Sequence, residues 1–114
     1  MRRGEIWTIA GGKHYAGKPR PAIILQDDRF DGTHSVTICP LTTDPTEAPL
    51  VRLLVEPSEA NRLGRACRLM VDRITTVSRA KVGERIGALG DQDLVRLNRA
   101  VVVFLGLAGP APAN

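Results

Sequence analysis

Short apolar runs recur along the first 90 residues of this 114-residue chain, and each is cut off by glycine, proline or aspartate before it reaches the length of a helix. Alternation within the runs has the period of two that marks strands. "GEIWTIA" sets Ile6 and Thr8 on one side and Trp7 and Ile9 on the other, as suits a first strand with both faces partly covered. "PAIILQ" is a second strand, preceded by the glycine-rich loop "GGKHYAGKP" and followed by a turn region holding Asp31-Gly32. "VTICPL" is a third, stopped by Pro40 and the polar "TTDPTEAP"; "LVRLLV" is a fourth; "EPSEANRLG" is a loop with room for one helical turn. "ACRLMVDRITTVSRAKV" holds two strand-like pieces around Asp72, and "ERIGALG" offers a last strand with Ile86 and Leu89 inward. Short strands at near-regular spacing predict a mainly β fold, a small barrel or strongly bent sheet.

After Gly90 the period changes. Asp91 is placed to cap a helix in which Leu94, Leu97, Val101, Phe104 or Leu105, and Ala108 recur at three- and four-residue steps, with Arg96 and Arg99 on the wet side and Gly109-Pro110 as the stop. Val95, Val102 and Val103 widen the apolar surface beyond one stripe, so part of this helix is expected to meet a second copy of the chain. A chain of this length is expected to fold as one domain over residues 1–108, with 109–114, "GPAPAN", as a flexible tail.

Sixteen Lys+Arg against twelve Asp+Glu leave a formal charge of +4, which favours an anionic partner. The longest apolar run, residues 100–105, is far too short to cross a bilayer, and "MRRGEIW" has charges with no apolar stretch behind them, so a cytoplasmic location is expected. Cys39 and Cys67 lie far apart without metal-type spacing and read as reduced thiols, Cys39 in the core. No P-loop, G-x-G-x-x-G or H-E-x-x-H is present, so nothing in the sequence calls for a nucleotide, metal or other cofactor.

The polar residues at strand ends and in the flanking loops are His14, Lys18, Arg20, Thr42, Thr43, Asp72 and Arg73. Arg20 stands between Pro19 and Pro21 at the mouth of a strand. Each proline locks its own φ and disfavours helical backbone in the residue before it, so the backbone aims Arg20. A guanidinium presents a planar fork that matches phosphate oxygens. Thr42 and Thr43 end the third strand, where a hydroxyl either donates to a phosphate oxygen or serves turn chemistry. Asp72 suits a general base, or pairs with Arg73 or caps a turn. His14 has an imidazole suited to proton transfer and is equally read as an ordinary loop residue, and His34 reads as structural.

In order along the chain, "MRRGEIW", "GKPRPAIILQDD", "CPLTT", "CRLMVDRITTV" and "IGALGDQDLVRLNRAVVVFLGL" resemble the MazF/PemK/Kid family of toxin-antitoxin endoribonucleases, from Arg3 to Leu107. The resemblance implies an SH3-like barrel with a C-terminal helix, assembled as a homodimer. It implies metal-independent cleavage of single-stranded RNA at short sequences, giving a 2′,3′-cyclic phosphate or 3′-phosphate and a 5′-hydroxyl. It further implies neutralisation by an antitoxin whose acidic, flexible segment occupies the RNA groove. By family position Arg20 and Thr42 belong to the active site, and Asp72 matches an aspartate that serves some members as the base. His14, Lys18, Thr43 and Arg73 are then expected to bind RNA. Where the Kid-like branch has an arginine two residues before that aspartate, this chain has Met70, with Arg68 or Arg73 as substitutes. His14 matches a loop histidine of that branch with a shifted spacing to Gly17.

Two other classes compete with this reading. CcdB-like gyrase poisons share the barrel and grip their target through C-terminal residues, but "GLAGPAPAN" carries no aromatic anchor. An SH3-like peptide-binding module needs an aromatic-lined groove, and aromatic residues make up only 4% of this chain.

Overall fold

In the computed structural model, which describes residues 1–11, 18–107 and 109, the described residues form seven antiparallel strands and one helix. The strands are β1 (Glu5–Ile9), β2 (Arg20–Ile24), β3 (Ser35–Thr42), β4 (Arg52–Val55), β5 (Cys67–Met70), β6 (Thr75–Ser78) and β7 (Val82–Ala88); the helix α1 spans Asp91–Phe104. They run in the order β4-β5-β3-β2-β1-β7, with β6 also paired to β3. Among the described residues β4 and β7 remain edges, so the mainly β fold is a bent, open sheet and a barrel only in a loose sense.

Alternation along the strands builds two cores. Ile6, Ile23, Cys39, Leu41 and Leu69 face one side, where Leu97 and Ala100 of α1 cover them. Ile9, Ala22, Ile24, Val36 and Ile38 face the other, with Trp7, Val77 and Val82 packed around them. Ile6 and Trp7 thus point apart, as the alternation in "GEIWTIA" requires. Burial of both faces explains why these runs are nearly continuously apolar.

Three boundaries differ from expectation. Pro40 does not stop β3, which continues to Thr42. It sits opposite Ala22 in the last pair that β3 makes with β2, and the strand is then taken over by β5 through Leu41↔Leu69 and Thr42↔Arg68. A proline costs a strand only where its missing N–H is needed. Asp91 is the first helical residue and not the cap; Gly90 holds the N-cap position with no side-chain bond, and Asp91 and Asp93 favour the first turn through the helix dipole. The helix ends earlier than Gly109-Pro110. Gly106, at φ +76°, donates to the Val103 carbonyl while Leu107 donates to that of Val102, the paired bonds of a Schellman stop.

That earlier stop leaves Phe104 47% and Leu105 58% exposed, beside exposed Val95, Val102 and Val103. Ala108 and residues 110–114 of the expected tail, like His14, lie outside the described residues. Among the described residues no helix is long and apolar enough to cross a membrane.

Candidate RNA-binding and cleavage site

Residues opposite one another in an antiparallel pair share a sheet face, and the register therefore locates the candidates. Ala22↔Pro40, Thr42↔Arg68 and Arg52↔Met70 put Arg20, Pro40, Thr42, Met70 and Arg52 on the face turned away from α1. That face is apolar at the end held by Ile24 and Ile38 and polar at the other.

Arg20 opens β2, opposite Ile9, and is exposed together with Lys18 and Pro19. Arg20, Thr42 and Thr43 line one concavity of about 130 Å³, floored by Pro40 and Met70. Thr42 makes the turn contact. Its Oγ1 accepts a hydrogen bond from the Asp44 backbone N–H at 3.1 Å, which is turn chemistry, and its own O–H is left to donate. A second concavity, about 460 Å³, adjoins the first across Pro40, Thr42 and Met70 and is bounded by Asp44, Arg52, Arg73 and Thr75. Asp44 is occupied there, accepting from the hydroxyl and N–H of Thr46, which hold its carboxyl below the usual range.

Asp72 lies in the 3-10 turn Val71–Arg73 that follows β5. Val71 is fully buried and anchors this turn to the core, so Asp72 and Arg73 are turned outward. The partner of Asp72 is neither Arg73 nor a cap but Arg52 of β4: Nε donates to Oδ1 at 2.8 Å and Nη2 to Oδ2 at 3.0 Å. The Arg52 hydrogen bonds push the Asp72 carboxyl below the ordinary carboxylate range, against the smaller opposing effect of burial.

The family of PemK-like, MazF-like toxins of type II toxin-antitoxin systems matches this chain over residues 2–105. The chain belongs to that family. A curated relative, "Probable endoribonuclease MazF" of Mycolicibacterium smegmatis, is 52% identical over 109 residues, covering 96% of this chain and all of its own. Solved structures share the fold at lower identity. An endoribonuclease in complex with its cognate antitoxin from a mycobacterial species superposes with a TM-score of 0.76 at 22% identity, covering 98% of this chain and 99% of that one. A MazE-MazF structure from Deinococcus radiodurans superposes at 0.74 and 18% identity, covering 93% and 95%.

The sequence candidates of this MazF-like chain are not all brought together. Arg20, Thr42 and Thr43 share one concavity, and Arg73 lines the next. Lys18 is exposed two residues before Arg20, and His14 lies outside the described residues. Arg52 was missed. Its only sequence signal is a cation in the apolar run "LVRLLV", and its place opposite Met70 depends on the register of β4 against β5. Arg68, one of the substitutes considered for the Met70 position, pairs with Thr42 and with Leu54.

Both cysteines are free and buried. Burial pushes the Cys39 thiol up to about 12 and raises that of Cys67, so both remain protonated near neutral pH and suit packing, not nucleophilic attack. Among the described residues no group of three His, Cys, Asp or Glu side chains is placed to hold a metal ion.

Proposed function

We propose that this chain is the toxin of a type II toxin-antitoxin pair and that it cuts single-stranded RNA through attack of a ribose 2′-oxygen on the adjacent phosphorus. The observation that carries the reading is the meeting of Arg20, at the start of β2, with Thr42, at the end of β3, on one concavity. The 2′-oxygen gives up its proton and bonds to phosphorus; the 5′-oxygen leaves and takes a proton. The products are a 2′,3′-cyclic phosphate, which addition of water opens to a 3′-phosphate and a free 2′-hydroxyl, and a 5′-hydroxyl.

Negative charge builds on the non-bridging phosphate oxygens as the fifth bond forms. The Arg20 fork and the Thr42 hydroxyl are the donors that meet it. Lys18, Thr43 and Arg73 hold the strand on either side, and contacts to bases in a splayed single strand set the sequence that is cut. The curated relative's name as an endoribonuclease supports this reading over a gyrase poison.

The antitoxin is expected to lay an acidic, flexible segment across the same cations; the net charge of +4 supports this, and one of the solved relatives is a complex with its antitoxin. The working unit is a homodimer in the cytoplasm, with the exposed apolar end of α1 around Val102, Val103 and Phe104 as its contact surface. Sedimentation equilibrium at micromolar concentration is expected to give twice the chain mass; a stable monomer would contradict the dimer. The function itself is tested by incubating purified protein with single-stranded RNA in EDTA. Fragments with 5′-hydroxyl ends are expected, and RNA left intact would contradict the reading.

A further inference from the structure

Arg52 stands where two hollows of the surface meet. One is the concavity it shares with Thr42, Asp44 and Arg73, and the other, about 300 Å³, is lined by Glu47, Arg68 and Arg96 together with Pro49 and Leu54. The pair with Asp72 engages Nε and Nη2 and leaves the two N–H groups of Nη1 outside it. With its side chain only 16% exposed and that of Asp72 31%, the pair differs from the exposed pairs of this chain such as Arg29–Asp27, at 79% and 51%. A two-bond fork fixes the guanidinium plane, which a single contact cannot. Its backbone is fixed as well, since the Arg52 N–H donates to Ala48 and Val51 accepts from Val71.

We propose that Arg52 binds an RNA phosphate in the hollow beside Thr42, and that Asp72 is the positioning residue holding its guanidinium there, not the acceptor of the 2′-hydroxyl proton. This rests on the reading of the chain as an RNA-cutting toxin. Arg52 supplies the cation that Met70 lacks, from the neighbouring strand directly opposite it. Both Asp72 oxygens are taken by Arg52, so a proton arriving there must displace or weaken an ionic hydrogen bond. Arg68 and Arg73 line the two hollows with Arg52, while Arg96 is held by Asp93 at 2.7 Å and Asp44 by Thr46.

The test is single-turnover cleavage and binding of a 2′-deoxy, uncleavable strand by wild type, Arg52→Gln, Asp72→Asn and the double variant, with melting curves confirming the fold. Arg52→Gln is expected to weaken binding and to reduce the slope of log affinity against log salt by about 0.7, one phosphate contact. Asp72→Asn keeps one oxygen for the guanidinium, so it is expected to lose less than the roughly 10²-fold that is the least a general base contributes, and to keep the wild-type pH profile. Because Asp72 acts only through Arg52, the double variant should be no slower than Arg52→Gln alone. A larger loss in Asp72→Asn with the acidic limb of the profile gone, or a double variant far slower than Arg52→Gln, would overturn the positioning role. Unchanged affinity and salt slope in folded Arg52→Gln would overturn the phosphate contact. If wild type cuts and Arg20→Ala cuts far more slowly, either result sinks this inference alone; wild type that cuts no RNA sinks the functional reading with it.

Discussion

Arg20→Ala is expected to slow RNA cleavage by on the order of 10² to 10³ and to leave the fold intact, because one lost oxyanion donor costs about that much. Arg20 opens β2 as an exposed residue, so its removal takes no side chain out of either core. The backbone pair Ile9↔Arg20 survives, and Pro19 and Pro21 still hold the chain extended. The loss therefore falls on the chemical step. Lysine at position 20 keeps the charge and loses the planar fork, so Arg20→Lys should recover only part of the rate. Single-turnover rates with melting curves on the same samples separate the two effects. Unchanged cleavage by a folded Arg20→Ala protein would remove Arg20 from the site.

Leu97→Ala carries the largest expected cost in stability, about 2–5 kcal/mol. Leu97 is 0% exposed and packs with Ile6, Ile23 and Leu69 at the centre of the core that joins α1 to the sheet. Few other side chains do that work, since Leu97 and Ala100 are the buried residues of the helix. Removing the isobutyl group leaves a void between helix and sheet that neighbours fixed by strand pairing fill only in part. Against a total of about 5–15 kcal/mol for an ordinary domain, the middle of that range is about a third of the margin. Denaturant titration should show a lower midpoint with an unchanged slope. A midpoint within error of wild type would mean the helix is not held as described.

The sheet was readable because its strands are marked twice, by alternation and by the residues that end them. "CRLMVDRITTV" divides at Asp72 as its pattern implies, into β5 and β6 with a turn between. Arg20 and Thr42 come together for a related reason: each is the end residue of a strand, and the ends of paired strands meet. What was not readable depends on register or on a partner distant in sequence. Pro40 looks like a stop until Ala22 and Leu69 are known to take turns beside β3. Gly109-Pro110 looks like the helix stop in sequence, and the bonds from Gly106 and Leu107 back to Val103 and Val102 place the stop earlier. Arg52 is separated from Asp72 by 20 residues, and only the β4–β5 register brings them together.

The same distinction bears on how the site was built. Met70 looks like the loss of a cation when β5 is read alone, but Arg52 faces it from β4. Arg52 puts a cation at the same face and the same end of the sheet as Met70. Sequence position and spatial position thus come apart for Arg52, while they coincide for Arg20.

The measurement that bears most directly on the central claim is to incubate the purified protein with a mixed pool of single-stranded RNAs in EDTA and to sequence the new 5′-hydroxyl ends. The ends expected share a short sequence around the cut and form with wild type on the order of 10² to 10³ times faster than with Arg20→Ala. A pool without new ends, or ends that form at an unchanged rate with the folded Arg20→Ala protein, would contradict that claim.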